Sequence, residues 1–286
     1  MISINTNYGG LFASKAASQS QRMLDTAMER LSTGKRINYA TDDAAGQAIA
    51  VRLEAEIQGI SMATRNVADA QSLMDTADGA LAETSNILLR MRELAVQAST
   101  GTLNSDDNAA LDAEFQQLEA EIDRIASSSK WAGSDLFTGT ARVFHVGTKA
   151  TDTLSHTIGK MAAHDLGVDS LGANNASGGT GDDTDIDADL TDATKAAAMI
   201  TAVDNAIKLV STERSSLGAL SNRLSSTISN LDQVRVNLSA SQGRIEDADF
   251  AEETSNLAKG QILQQAATAM LAQANASKQT VLTLLR

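Results

Sequence analysis

The chain has 286 residues, of which 3% are aromatic, it contains neither proline nor cysteine, and its formal net charge at pH 7 is −13. This composition is typical of long helices rather than of a core built on aromatic residues, and without proline nothing forces a helix to kink. The negative charge argues against a nucleic-acid partner, and the lack of cysteine excludes disulfides and thiolate chemistry.

The N-terminal segment predicts a thin amphipathic helix. Its apolar stripe consists of Ile4, Tyr8, Leu11, Leu24, Ala27 and Leu31. The stretch from Met1 to Phe12 has neither the basic region nor the apolar run of a secretory signal, so we expect no signal peptide. The chain also has no apolar run of about 18 residues, and we therefore expect no membrane insertion.

A long heptad pattern follows. From Leu53 to Ala95, mostly apolar residues recur in alternating steps of four and three, which predicts a coiled-coil stripe on one helix from about Asp43 to about Ser99. Gly101 is expected to end this helix. The residues that we assign to the core of a helical bundle here are Leu53, Ile60, Val67, Leu81 and Leu88.

Two shorter elements are predicted next. Asn104 or Ser105 can cap a helix that runs to about Ser129. A β-hairpin is predicted over 135–146, with Leu136-Phe137 as its first strand, a turn at 138–140, and a second strand of β-branched and aromatic residues at 142–146. From Leu171 to Asp189 the chain is rich in Gly, Asn, Ser and Asp, which indicates a surface loop or the remnant of a small inserted domain.

The C-terminal part has a second heptad pattern, from Ile200 to Leu238, whose assigned core residues are Leu217, Leu224 and Leu231. We expect the two heptad patterns to pack on each other. A last stripe consists of Leu263, Ala267, Met270, Ala274, Ser277, Val281 and Leu284. Both terminal stripes are thin and rich in alanine, so two such helices alone should be marginally stable and need partners.

The expected fold class is therefore mainly α: a long-helix antiparallel bundle or coiled coil formed by N- and C-terminal segments, with a small β-hairpin region. We assign the assembly contacts to one set of residues in the terminal helices. They are Ile4, Tyr8, Leu11, Leu24, Leu31, Leu263, Met270, Val281 and Leu284.

No catalytic or metal-binding pattern emerges, and we expect no cofactor and no enzyme. His145, His156 and His164 lack the His-Glu-x-x-His spacing of zinc proteases. The acidic run at 182–189 resembles a calcium loop, but the glycine and glutamate that such a loop requires are replaced by Ala188 and Thr194. A solvated acidic loop explains this run better.

Four runs of sequence, in order, resemble the bacterial flagellins. The first is Leu31 to Asn38 (LSTGKRIN), continuing with DDAAG at 42–46, and the second is Met91 to Ala98 (MRELAVQA). The third is Gly243 to Ala251 (GRIEDADFA), and the fourth is Met270 to Asn275 (MLAQAN), with LLR at the end of the chain. The resemblance covers about residues 1–165 and 192–286.

This resemblance implies a non-enzymatic subunit that polymerises into the flagellar filament, outside the cell, after export through the flagellar type III apparatus. Residues 1–42 and 241–286 would form the inner tube, 43–170 and 192–240 the outer tube, and 171–191 a short variable surface segment. The terminal helices would fold as subunits assemble. The implied partners are further copies of the chain, an export chaperone, the filament cap and the hook–filament junction proteins.

The resemblance also implies a candidate contact with the animal toll-like receptor that senses flagellin. Arg90, Leu94 and Glu114 match the positions concerned, although the surrounding motif departs from the family at Leu89 and Met91. The alternative is that Arg90 and Glu114 only pack between subunits and form weak surface ion pairs.

Two other functions remain open at this point. A hook–filament junction protein is also an exported helical chain with paired ends, and it would form a single ring rather than a filament of many copies. A soluble coiled-coil signalling module, such as a chemoreceptor hairpin, would be a stable dimer with ordered ends and no polymer.

Overall fold

The computed structural model describes residues 6–100, 102–169, 190 and 193–284, with side-chain burial given as far as Ser277. Six helices lie in these parts of the chain: α1 (Tyr8–Thr33), α2 (Ala44–Ala98), α3 (Ser105–Ser128), α4 (Ala163–Leu166), α5 (Ala193–Glu246) and α6 (Phe250–Leu284). The predictions for Ile4, for Gly101 and for the loop from Leu171 to Asp189, with its acidic run at 182–189, lie outside the described residues. None of the described helices has the length and apolar character needed to cross a membrane.

The chain divides into two compact units. Unit 1 combines Met1–Gln58 with Val234–Arg286, and unit 2 is the continuous stretch Gly59–Gln233. Unit 1 therefore brings together the two ends of the chain, and helices α2 and α5 contribute residues to both units. The mainly α fold class, with long helices that pack on one another, is confirmed.

The observed ends of α2 and α3 agree with the predicted ones. Helix α3 begins after a capping box, in which the Asn104 side chain accepts a hydrogen bond from the Asp107 backbone N–H at 2.7 Å. The Asp107 carboxylate accepts one from the Asn104 N–H at 3.4 Å in return. Two N–H groups that the helix itself cannot satisfy thus gain partners, which is why the helix begins at Ser105.

Apolar residues of α2, α3 and α5 form the core of unit 2, as the heptad patterns predict. Leu88, Phe115 and Leu224 are each 0% exposed and belong to one cluster. Ion pairs between α2 and α5 flank this core: Arg214 lies 2.8 Å from Asp78, and Arg92 lies 2.7 Å from Asp204. These pairs are half-exposed, so apolar burial provides most of the stability.

The strands differ from the predicted hairpin, which was wrong in its pairing. Lys130–Trp131 (β1) pairs with Ser134–Asp135 (β2), and Ala141–His145 (β3) pairs with Thr153–Thr157 (β4), both antiparallel. The second predicted strand is thus real, but its partner lies after it in the chain. Leu136 and Phe137 do not form a strand. Successive side chains of a strand point to opposite faces, whereas these two lie against one core: Leu136 is 1% exposed, and Phe137 packs on the same cluster.

Candidate assembly interface

Helices α1 and α6 of unit 1 pack against each other along their length. Asn7 caps α1, its side chain accepting a hydrogen bond from the Gly10 N–H and donating to the Ala274 carbonyl oxygen. Farther along, Gln264 donates to the Gln21 side chain at 2.6 Å. The N-terminal residues of α1 thus lie beside late residues of α6, so the two helices are antiparallel.

Small side chains dominate the surface between these helices, which we call the terminal seam. Its buried residues are Ala13, Ser20, Leu24 and Ala27 on α1 and Glu253, Gly260 and Ala267 on α6. Gly260 allows the closest approach, because a Cβ atom there would lie 3.2 Å from Cγ of Leu24 and 3.6 Å from its backbone nitrogen. The seam buries little apolar area, and Leu24 is its largest apolar side chain.

Beyond α1 the chain makes a short main-chain junction with the end of α5. Gly34 ends α1 with a φ of +72°, a conformation that favours glycine. The Arg36 N–H donates to the Glu246 carbonyl oxygen, and the Ala248 N–H donates to the Gly34 carbonyl oxygen. Lys35 and Asp247 face each other in this antiparallel bridge.

Two ion pairs accompany this junction. The Lys35 ammonium lies 2.9 Å from Glu246, whose hydrogen bond and negative charge raise the pKa of Lys35 above its ordinary value. Arg30 lies 2.8 Å from Glu253, whose side chain is only 8% exposed. Glu253 also lies in the first turn of α6, where the helix dipole favours a negative charge, and Arg30 lies in the last turn of α1, where a positive charge is favoured.

The predicted assembly residues fall into two groups. Leu24 is buried in the terminal seam and Leu31 is half-buried. The remaining described members point into solvent, with exposures of 72% for Tyr8, 61% for Leu11, 40% for Leu263 and 64% for Met270. The burial of Ile4, Val281 and Leu284 lies outside the described side chains.

Most of the assigned bundle-core residues are buried. Ile60, Val67, Leu81, Leu88, Leu217 and Leu224 are at most 3% exposed in unit 2. Leu53 in unit 1 and Leu231 in unit 2 are half-buried.

The three candidate receptor residues differ in their exposure to solvent. Arg90 donates from Nε and Nη2 to Oε1 of Glu114, at 3.0 and 2.8 Å, and from Nη1 to Glu93, and these carboxylates raise the pKa of Arg90. Arg90 and Glu114 are both about half-exposed and can reach a partner. Leu94 is only 1% exposed, so its side chain is not available on the surface of the subunit.

Sequence reasoning missed the charged residues of the seam, Arg30 and Glu253. A signal for Glu253 was present, because Glu253, Gly260, Ala267 and Ala274 follow one another at intervals of seven. A charged residue at a heptad position that is otherwise small or apolar predicts a buried ion pair or a specificity element.

The comparisons with known proteins agree with this architecture. The model of the bacterial flagellin N-terminal helical region matches residues 4–142, and that of the bacterial flagellin C-terminal helical region matches residues 200–285. A flagellin of Halalkalibacterium halodurans is 44% identical over 91% of both chains, and one of Bacillus subtilis is 40% identical over 99% of both.

A solved structure supports the fold alone. A putative flagellar hook-associated protein from Vibrio parahaemolyticus superposes with a TM-score of 0.59 over 72% of this chain and all of its own, at 17% identity. The relatives at higher identity favour a filament subunit over a hook–filament junction protein or a signalling module. Both flagellin family models match the chain, and flagellins at 40–44% identity match it over nearly its full length. The chain therefore belongs to the bacterial flagellin family.

Proposed function

We propose that the chain is a structural subunit, not an enzyme, that polymerises into the flagellar filament through the helices of unit 1. The supporting observation is the distribution of exposed large apolar side chains among the described residues. Unit 2 has five: Met62, Leu89, Val96, Val143 and Leu209. Unit 1, the smaller unit, has Tyr8, Leu11, Phe12, Met28, Tyr39, Ile49, Val51, Val234, Val236, Phe250, Ile262, Leu263 and Met270.

Large apolar side chains are costly to expose to water, and their concentration in unit 1 favours that unit as the site of association. The terminal seam buries mainly small residues and leaves the large apolar side chains of α1 and α6 uncovered, so in this proposal neighbouring copies supply the missing apolar contacts. Ordering of the terminal helices and addition to the filament are then one coupled event. In this proposal residues 1–42 and 241–286 form the inner tube, and 43–170 and 192–240 form the outer tube. The variable segment between them is shorter than the predicted 171–191, because Leu190 is 0% exposed and belongs to the core of unit 2.

The same proposal covers location and partners. The mature polymer lies outside the cell, after passage through the flagellar export apparatus. An export chaperone covers the apolar terminal helices before assembly, and the filament cap and the hook–filament junction proteins meet the subunit at the two ends of the polymer.

Deletion of 260–286 tests the proposal, because it removes most of α6 and leaves unit 2 intact. We expect a helical monomer that no longer sediments as a polymer, whereas the full chain does so after seeding. Circular dichroism and sedimentation measure the two properties. A truncated chain that still polymerises would contradict the role of α6, and so would a full chain that stays monomeric under every seeding condition.

A point variant tests the exposed apolar surface directly. Phe12→Ser removes a side chain that is 77% exposed in unit 1, and Val143→Ser removes one that is 62% exposed in unit 2. We expect Phe12→Ser to raise the critical concentration for polymerisation and Val143→Ser to leave it nearly unchanged. Equal effects of the two substitutions would count against unit 1 as the main interface.

Receptor recognition by the animal toll-like receptor is a second part of the proposal, and it depends on the exposed pair Arg90 and Glu114. The buried Leu94 would act only by supporting the helix surface around them. Arg90→Ala is expected to weaken activation of receptor-bearing reporter cells. The matched control is Arg124→Ala, since Arg124 is also exposed and pairs with the carboxylate of Glu121. Equal responses to both variants would contradict this role of Arg90.

A further inference from the structure

The methionines among the described side chains fall into two groups by exposure, apart from the half-buried Met23. The first group lies in the core cluster of unit 2 and is at most 6% exposed: Met74, Met91, Met161 and Met199. The second group faces solvent, with exposures of 57% for Met28, 49% for Met62 and 64% for Met270. Because an oxidant has to reach the sulfur atom, oxidation of a methionine to its sulfoxide follows exposure. The structure therefore directs this reaction to the second group.

Two of the exposed methionines extend the apolar surface of the terminal helices in unit 1. Met28 lies on α1, four residues after the buried Leu24 and three before the half-buried Leu31. Met270 lies on α6, seven residues after the exposed Leu263, so the two project from the same face of that helix. Both sulfur atoms are thus accessible in a free chain, and in the proposed polymer a neighbouring copy would cover them.

The third exposed methionine, Met62, differs in its place and in its surroundings. It lies in unit 2, which has fewer exposed large apolar side chains than unit 1. Nη2 of Arg65, three residues later on α2, donates a hydrogen bond to the sulfur of Met62 at 2.6 Å. This hydrogen bond engages a lone pair that an oxidant would attack, so we expect Met62 to react more slowly than Met28 and Met270. Met62 therefore provides a control of similar exposure outside unit 1.

We propose that Met28 and Met270 are sites of reversible oxidation that control the addition of the subunit to the polymer. The oxidant is a hydroperoxide, of which hydrogen peroxide is the simplest. A sulfur lone pair attacks one peroxide oxygen, the O–O bond breaks and an S–O bond forms. The sulfur is oxidised by two electrons and the peroxide is reduced, while the departing hydroxide takes the proton of the transferred hydroxyl group and leaves as water. Methionine sulfoxide reductases reverse this modification, so it can act as a switch.

The sulfoxide changes the assembly surface more than the free chain, and in this respect the inference rests on the proposed function. In the free chain Met28 and Met270 face solvent, so water hydrates the new S=O group and the helices keep their packing. In the polymer the same group would lie against apolar side chains of a neighbouring copy, where a polar group without a hydrogen-bond partner is costly. Oxidation therefore disfavours addition to the polymer and leaves the fold of the subunit intact.

Peptide mass spectrometry of the soluble chain measures the reactivity of each sulfur. The chain is treated with dilute hydrogen peroxide, and the fraction of sulfoxide at each methionine is followed over time. We expect Met28 and Met270 to be oxidised about tenfold or more faster than the methionines of the core cluster, with Met62 at an intermediate rate. Circular dichroism should show the same helical content before and after treatment. Rates at Met28 and Met270 no higher than in the core cluster would overturn the proposal.

Critical concentrations for polymerisation after seeding test the consequence for assembly. Peroxide treatment should raise the critical concentration of the unsubstituted chain by about tenfold or more, and methionine sulfoxide reductases should restore it. Met28→Leu combined with Met270→Leu removes both sulfur atoms and keeps the apolar bulk. For this double variant the ratio of treated to untreated critical concentration should stay near one, although Met23 is still present. Met62→Leu is the matched control, and its ratio should rise as in the unsubstituted chain.

An unchanged critical concentration after full oxidation of Met28 and Met270 would overturn the proposal. An equal loss of assembly in the treated double leucine variant would overturn it as well, because another methionine would then be responsible. Failure of the untreated, unsubstituted chain to polymerise would instead count against the proposed function, and the oxidation rates in the soluble chain would remain interpretable.

Discussion

Leu224 offers a quantitative test of the core of unit 2. Its side chain is 0% exposed and belongs to the cluster that joins α2, α3 and α5. Leu224→Ala removes buried methyl groups and leaves a cavity, which costs about 2–5 kcal/mol in comparable cores. For a unit of this size each kcal/mol corresponds to about 2–4 °C, so we expect the melting temperature to fall by roughly 4–20 °C.

Tryptophan fluorescence can follow this transition, because the one tryptophan of the chain, Trp131, lies in unit 2 and packs against the same cluster. The matched control is Leu209→Ala, on the same helix but 52% exposed, for which a change within about 0.5 kcal/mol is expected. Equal unfolding midpoints for the two variants would refute the assignment of Leu224 to a stabilising core.

Three further predictions concern a pair of glycines, a helix cap and one carboxylate. Gly79 lies inside α2 with open space around it, so Gly79→Ala should stabilise unit 2 by about 0.5–1 kcal/mol in urea titrations. Gly133 has a φ of +82°, so Gly133→Ala should destabilise unit 2 by about 1–2 kcal/mol. The opposite order would contradict both predictions. Asn104→Ala should cost about 1 kcal/mol through loss of the capping box, and no change in melting temperature would exclude that role. Hydrogen bonds from the backbone N–H groups of Tyr39 and Asn38 hold the pKa of Asp42 below its ordinary 3.8. The ionised carboxylate therefore stabilises the folded chain above that pH, and this contribution is lost as the pH falls through the folded pKa. NMR titration should show the depressed pKa, and an ordinary value would contradict it.

The long helices could be predicted because their signal extends over many residues. In α2 and α5 the apolar positions repeat over several heptads, and the absence of proline leaves the pattern uninterrupted. One residue that favours another structure affects such a pattern little, because it does not change the period of the apolar positions. The beginning of α3 was equally clear because capping depends on one local motif around Asn104.

The strands could not be paired correctly from local pattern alone. Leu136 and Phe137 look like a short apolar strand, but the core of unit 2 takes up both side chains. The true partner of β3, Thr153–Thr157, contains one apolar residue, Leu154, and its alternation is therefore weak. Tertiary burial overrode the local preference in the first case, and the second strand had too little hydrophobic signal to be recognised.

The sequence did not indicate which residues of the terminal helices pack on each other and which face solvent. Large apolar residues such as Tyr8 and Met270 were grouped with Leu24, but the first two face solvent and the third is buried. A hydropathy pattern predicts that the large apolar side chains form the inner face of a helix. The terminal seam is instead lined mainly by alanine, serine and glycine, which allow the helix backbones to approach closely. Size complementarity between two helices cannot be read from either helix alone.

Unit 1 consists of residues from both ends of the chain, so it can be complete only when both ends are present. Arg30 and Glu253 are separated by 223 positions, so their contact requires nearly the whole polypeptide. A chain that ends prematurely, before α6, can still fold its continuous central unit but cannot complete the terminal pair. If assembly requires the terminal pair, as proposed, a chain without α6 is therefore excluded from the polymer even when its central unit is folded.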